Sequence, residues 1–168
     1  MFKFYYVKID SVAFSSLCKK MSRHLLQFDG AAEPNPGEAG GAYVIFSPET
    51  IDEEGDQVRS VVQEGFLYLP HATNNEAEYC GLIVGLQQAL KLGIPEIDVE
   101  GDSNLVVNQA QGLWKVKTPT LVPYRSKANS LLHKFKAFSL KHIPREENKD
   151  ADRLSKEALQ VKREEHRG

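Results

Sequence analysis

The sequence predicts an α/β domain built on a five-stranded mixed sheet, the first three strands antiparallel and the last two parallel, with helices flanking it. Three observations predict this. Strand-like apolar runs bounded by Gly, Pro and Asp crowd the first part of the chain, helical spacing then alternates with short strand-like runs, and a helix closes the chain after Pro144.

The first strand is Leu25–Phe28, which stops at Asp29-Gly30, and the cluster from Glu33 to Gly37 reads as a turn. Ala42–Phe46 and Glu64–Leu69 follow as the next two strands, joined by an acidic, exposed stretch from Ser47 to Ser60. Tyr79, Leu82, Ile83, Leu86, Ala89 and Leu90 recur at helical spacing. Thr73, Asn74 and Asn75 are the capping candidates of this helix, and Gly93 with Pro95 closes it. Ile97–Glu100 reads as a strand ending at Gly101-Asp102-Ser103, and a short helix from Leu105 ends near Gly112. Pro119 and Pro123 mark a loop, Arg125–Phe138 reads as helix, and Ser139–Ile143 as the last strand. Pro144 breaks the chain before a final helix over Glu146–Glu164.

A chain of 168 residues, 41% apolar and 26% charged, suits one domain with a full core. Residues 1–23, rich in Phe, Tyr and Ser, match nothing that follows and are expected to be an N-terminal extension, with three readings open: a flexible arm, a targeting segment, or an upstream start codon chosen over Met21; the domain is expected over 24–168. Cys18 and Cys80 form no disulfide framework and have no partner at zinc-ligand spacing, so a reducing, intracellular setting, cytoplasmic or another compartment, is expected. No run approaches the 18 or so apolar residues of a membrane span. Formal net charge is −2, which argues against nucleic-acid binding only if charge is spread evenly. It is not: Lys115 to Lys141 holds seven Lys or Arg and no acid, whereas Glu49 to Glu64 is acidic apart from Arg59. One face of the domain is then basic, although such a run suits a solvated helix face equally well.

Four carboxylates stand where geometry can gather them. Asp29 and Asp102 end apolar strands, Glu78 lies in the first turn of the long helix, and Asp152 lies near the start of the last. A sheet that sets two strand ends side by side, with helix starts nearby, brings such acids together; the usual compensation for their repulsion is a hard cation with oxygen ligands. Each acid alone is also an ordinary turn or helix-start residue. Acidity therefore does not separate these four from neighbours such as Glu76, Asp98, Glu100 and Asp150.

Local context does. Asp29-Gly30-Ala31 with Asn35-Pro36-Gly37, then Thr73-Asn74-Asn75-Glu76-Ala77-Glu78, then Gly101-Asp102-Ser103, then Arg145-Glu146-Glu147-Asn148-Lys149-Asp150-Ala151-Asp152 resemble, in order, the signatures of type 1 ribonuclease H over about residues 24–160. The resemblance implies a ribonuclease H-like fold and two Mg²⁺ or Mn²⁺ ions held by Asp29, Glu78, Asp102 and Asp152, with Glu76 as the decoy. It implies endonucleolytic hydrolysis of the RNA strand of RNA–DNA hybrids, leaving 5′-phosphate and 3′-hydroxyl ends. It also implies that Gly30, Asn35, Thr73, Asn74 and Asn75 lie along the RNA strand, and that Trp114, Lys115 and Lys117 meet the hybrid. Asn74 and Asn75 equally suit helix capping, and a Trp beside Leu113 and Val116 equally suits a core or loop anchor.

The segment before Asp152 departs from the bacterial pattern, in which a His sits in a loop there. Pro144-Arg145-Glu146-Glu147-Asn148 looks more like the archaeal and plant-type branch, which makes Arg145 rather than His142 the assisting residue. A monomer is expected, without membrane association. Two other readings share the resemblance: a catalytically weak nucleic-acid-binding module of the same fold, and a nuclease that also cuts double-stranded RNA.

Overall fold

The computed structural model describes residues 22–165. Chain order runs β1 (His24–Ala32), β2 (Gly37–Phe46), β3 (Thr50–Ile51), β4 (Gln57–Val58), β5 (Val61–Ala72), α1 (Asn74–Lys91), β6 (Glu96–Gly101), α2 (Asn104–Ala110), α3 (Val122–Leu132), β7 (Ala137–His142) and α4 (Lys149–Glu165). Single 3₁₀ turns at Pro119–Leu121 and Arg145–Glu147 precede α3 and α4. The five-stranded sheet has the order β5-β2-β1-β6-β7. β1–β2 and β2–β5 pair antiparallel, and β1–β6 and β6–β7 pair parallel. This is the mixed sheet flanked by helices that the element order predicts.

Alternation along the strands divides two cores. Leu26, Phe28, Tyr43, Ile45, Ile97 and Val99 face α1 and α3, together with Tyr79, Leu82, Leu86, Ala128 and Leu132 from those helices. On the opposite face Ala42 and Val44 pack against Ala151 and Leu154 of α4. The sheet is thus covered on both sides, and α1 and α4, one on each face, carry Glu78 and Asp152.

The structure changes several expected boundaries. β1 does not stop at Asp29: Gly30, Ala31 and Ala32 continue it, paired with Gly41, Gly40 and Ala39. The acidic stretch from Ser47 to Ser60 contains the small β3–β4 hairpin, where Asp52 Oδ1 accepts from the amides of Glu54 at 3.1 Å and Asp56 at 2.8 Å. Pro123 lies in the first turn of α3 rather than in a loop, a place where its missing N–H costs nothing. α3 ends at Leu132, well before Phe138, because Lys136 donates its amide to Pro95 and Phe138 pairs with Ile97 in the sheet. Sheet pairing overrides the helical spacing there. The last helix begins at Lys149, after the 3₁₀ turn.

Ser22 and Arg23, assigned to the extension from sequence, are tied to the domain. Ser22 Oγ accepts from the Glu49 amide at 2.7 Å, and Arg23 reaches Glu96 at 3.3 Å and Asp98 at 3.4 Å. Residues 1–21, with Cys18, lie outside the described residues. Among the described residues no helix is long and apolar enough to cross a membrane.

Candidate metal centre and active site

Parallel pairing of β1 with β6 ends at Phe28 and Gly101, so the next residue of each, Asp29 and Asp102, emerges at the same end of the two neighbouring strands. Asp29 is therefore within β1 as a strand yet at the end of its pairing with β6. α1 supplies the third acid. A Cβ on Gly30 would sit 2.1 Å from the Glu78 amide nitrogen and 2.3 Å from the Ala77 carbonyl carbon, so only glycine lets the helix backbone lie this close to the strand. Glu78 belongs to the second turn of α1, not the first; the first-turn acid is Glu76. Asp29, Glu78 and Asp102 each offer a carboxylate oxygen, all within 4.8 Å of one another.

Burial and mutual repulsion set their charge state. Burial holds the Glu78 carboxyl well above the ordinary glutamate range, and the charges of Asp29 and Asp102 push it further. Burial likewise raises Asp29, with Asp102 and Asp152 adding to it and a hydrogen bond from Ser155 opposing it. Glu78 Oε2 is buried and has no hydrogen-bond partner. An orphaned acceptor in a cluster of buried carboxylates fits a hard, oxygen-seeking divalent cation and little else among common ligands.

Asp152 is placed differently. Its Oδ1 accepts from Arg145 Nε at 3.0 Å and its Oδ2 from Lys156 Nζ at 2.6 Å. Burial alone would raise its carboxyl, but the hydrogen bonds from Lys156 and Arg145 outweigh this and hold it below the usual range. It stands beside the three-carboxylate group with both oxygens held by the protein's own cations. Arg145, on the 3₁₀ turn, has its own proton held more tightly by Asp152. His142 Nε2 lies 3.2 Å from the Asp102 carbonyl oxygen. Both residues thus border the site, but only Arg145 touches one of its carboxylates.

Two polar residues that sequence reasoning did not single out hold the strand acids. Asn148, fully buried, donates from Nδ2 to the Phe28 carbonyl at 2.9 Å and to Asp102 Oδ1 at 3.1 Å, while its Oδ1 has no partner. Ser155, also fully buried, donates from Oγ to Asp29 Oδ2 at 2.7 Å. The signal for Ser155 was its place three residues beyond Asp152, on the same helix face. Asn148 had no signal beyond membership of the motif.

The expected substrate residues divide into structural and open ones. Thr73 is the N-cap of α1 in a capping box: its Oγ accepts from the Glu76 amide, and the Glu76 carboxylate accepts from the Thr73 amide and hydroxyl. That explains the decoy acid. Asn35 Oδ1 accepts from the Asn74 amide at 3.1 Å, and Asn74 Oδ1 from the Ala32 amide at 2.7 Å, which ties the β1–β2 turn to the start of α1. Asn75 is half-buried beside them. Gly30 serves the approach of α1. Trp114 is not a core residue: it is 47% exposed, with Leu113 70% exposed and Lys115 and Lys117 exposed next to it, because the chain leaves α2 on two amides donated to the Asn108 carbonyl.

A family model described as reverse transcriptase-like matches residues 27–158. The crystal structure of RNase H1 from Halobacterium salinarum superposes with a TM-score of 0.74 at 40% identity, covering 83% of this chain and 98% of that one. The chain belongs to the type 1 ribonuclease H family. Among curated proteins it is 41% identical to Ribonuclease HI of Halobacterium salinarum over 132 residues, 79% of this chain and 62% of that protein. A bifunctional protein of Mycobacterium tuberculosis is 40% identical over 135 residues, 80% of this chain and 35% of the relative. The chain therefore spans about 62% and 35% of the length of these two curated relatives. LC11-RNase H1, solved in complex with an RNA/DNA hybrid, superposes with a TM-score of 0.69 at 36% identity, over 83% of this chain and 98% of that one.

Proposed function

We propose that this chain is a metal-dependent ribonuclease H that hydrolyses the RNA strand of RNA–DNA hybrids endonucleolytically, leaving 5′-phosphate and 3′-hydroxyl ends. The observation that carries the reading is the convergence of Asp29, Glu78 and Asp102 within 4.8 Å, around an orphaned Glu78 oxygen. Membership of a family with relatives named for this activity, one of them solved on a hybrid, supports the substrate.

Asp29, Glu78 and Asp102 would hold a first Mg²⁺ or Mn²⁺, and Asp152, once released by Lys156, would share a second. Bound there, the cations supply Lewis-acid activation of a water and neutralise charge on the phosphodiester. The chain's own residues do the rest. Arg145 carries a tightly held positive charge at the rim, suited to a phosphate oxygen or the departing group. Asn35 and Asn74 spend their side-chain oxygens on the fold, which leaves their Nδ2 donors for the 2′-hydroxyls of an RNA strand. The exposed Trp114, with Lys115 and Lys117, offers an apolar face and two charges to the other strand. The protein acts as a monomer, and its sparse cysteine suits an intracellular, reducing compartment.

Incubation of a short labelled RNA–DNA hybrid with Mg²⁺, Mn²⁺ or EDTA, beside all-RNA and all-DNA duplexes and an Asp102→Asn control, tests this. Metal-dependent cutting of the RNA strand, lost in Asp102→Asn, is expected; tight hybrid binding without cutting under either metal would leave a binding module.

A further inference from the structure

α4 does more than carry Asp152. Ser155 is fully buried one turn further along it, and its Oγ lies 2.7 Å from Asp29 Oδ2. The same oxygen is 2.9 Å from the Asp152 carbonyl. A hydroxyl has one proton to give, and the closer, charged acceptor is the stronger one. The packing that allows this contact comes from β2. A Cβ on Gly40 would lie 2.2 Å from the Ser155 carbonyl oxygen and 2.7 Å from the Ala158 Cβ, so only glycine lets α4 settle this deeply against the sheet.

The need for such a contact is electrostatic. The terminal torsion of an aspartate is soft, and the negative charge of Asp102 in the same cluster would turn the Asp29 carboxylate away from it. Asn148 restrains Asp102 from the chain just before α4, through its bond to Oδ1. Asp29 also accepts from the Gly30 amide and meets the Glu78 carboxyl, but among the described residues Ser155 is the side-chain donor that reaches it from outside the carboxylate cluster.

We propose that Ser155 is a positioning residue that, by holding Oδ2 of Asp29, fixes the direction in which this carboxylate faces a divalent cation shared with Glu78 and Asp102. The inference rests on the metal-dependent reading above. Ser155 meets neither cation nor substrate; it acts through Asp29. Removing such an outer partner of a metal ligand costs about 10–100-fold in metal affinity.

Titration calorimetry of the full chain with Mn²⁺ alone, and thermal melts with and without Mn²⁺, test it on wild type, Ser155→Ala and Ser155→Thr, with Asp29→Asn as the control. Ser155→Ala should bind Mn²⁺ about 10-fold more weakly and gain less Tm from it, while its metal-free melt stays cooperative. Ser155→Thr, which keeps the hydroxyl, should recover most of the affinity. If Ser155→Ala does not fold, Ser155→Cys, of similar volume but a weak donor, takes its place with the same expectation. Unchanged Mn²⁺ affinity in a folded Ser155→Ala overturns the inference and leaves the proposed function standing. A wild type that binds no Mn²⁺ overturns both.

Discussion

The carboxylates of this site live in two opposite environments. Asp29 and Glu78 are buried, crowded by like charge and raised above their ordinary range, whereas Asp152, only a helix turn from Ser155, is lowered by Arg145 and Lys156. Among the described residues no Lys or Arg is hydrogen-bonded to the first pair, whereas Asp152 is bonded to two. The difference teaches that residue type sets little by itself: strand ends and a close helix crowd like charges together, while a half-buried acid near a helix start, with a Lys four residues on, closes its own ion pair.

The sharpest break of this contrast is to delete charge on the crowded side. Asp102→Asn should lower hybrid cleavage by about 1000-fold, the several kcal/mol that metal-ion catalysis supplies, in single-turnover assays with saturating Mg²⁺. Next comes the rim. Arg145→Ala should cost about 100-fold in kcat, the low end of what removing one charge-stabilising donor costs, while His142→Ala stays close to wild type; the reverse order would make His142 the assisting residue.

Stability without metal separates the two environments more gently. Because the Glu78 carboxyl is raised in the folded chain, the folded state keeps a proton that the unfolded state has released above its ordinary value of 4.5. Stability in EDTA should therefore fall as pH rises from there through the raised value, and Glu78→Gln should flatten that fall and raise the Tm at neutral pH by about 4 °C. For Asp152 the sign reverses: its lowered carboxyl contributes stability above the ordinary 3.8, lost as pH falls through the folded value. The effect is smallest here, since the Lys156 side chain is half exposed; Lys156→Met should change stability by less than about 1 kcal/mol by urea denaturation.

Much of this was legible beforehand. The mixed sheet followed from the order of elements, and α1 was plain from its spacing, its Thr73 cap and the Gly93 stop, because those signals are local. The end of α3 was not legible, since Phe135 and Phe138 keep helical spacing and only pairing with β6 turns Phe138 into a strand residue. Trp114 was equally opaque: its exposure depends on where the chain leaves α2, not on its neighbours in sequence.

The site shows the same division. The four candidate acids could be named from motifs, because a motif depends on residue type and order. Which three converge was decided by tertiary contacts: the last β1–β6 pair at Phe28 and Gly101, and the approach of α1 that Gly30 permits. Ser155 and Asn148 became visible only when α4 and the segment before it met strands more than 100 residues earlier in the chain, at separations of 126 for Ser155 to Asp29 and 120 for Asn148 to Phe28. Sequence by itself named the candidate acids, the Thr73 cap and the order of elements, all of them set by residue type and local spacing. Tertiary structure alone decided burial, charge state and aim, because those depend on which distant groups share a low-dielectric space.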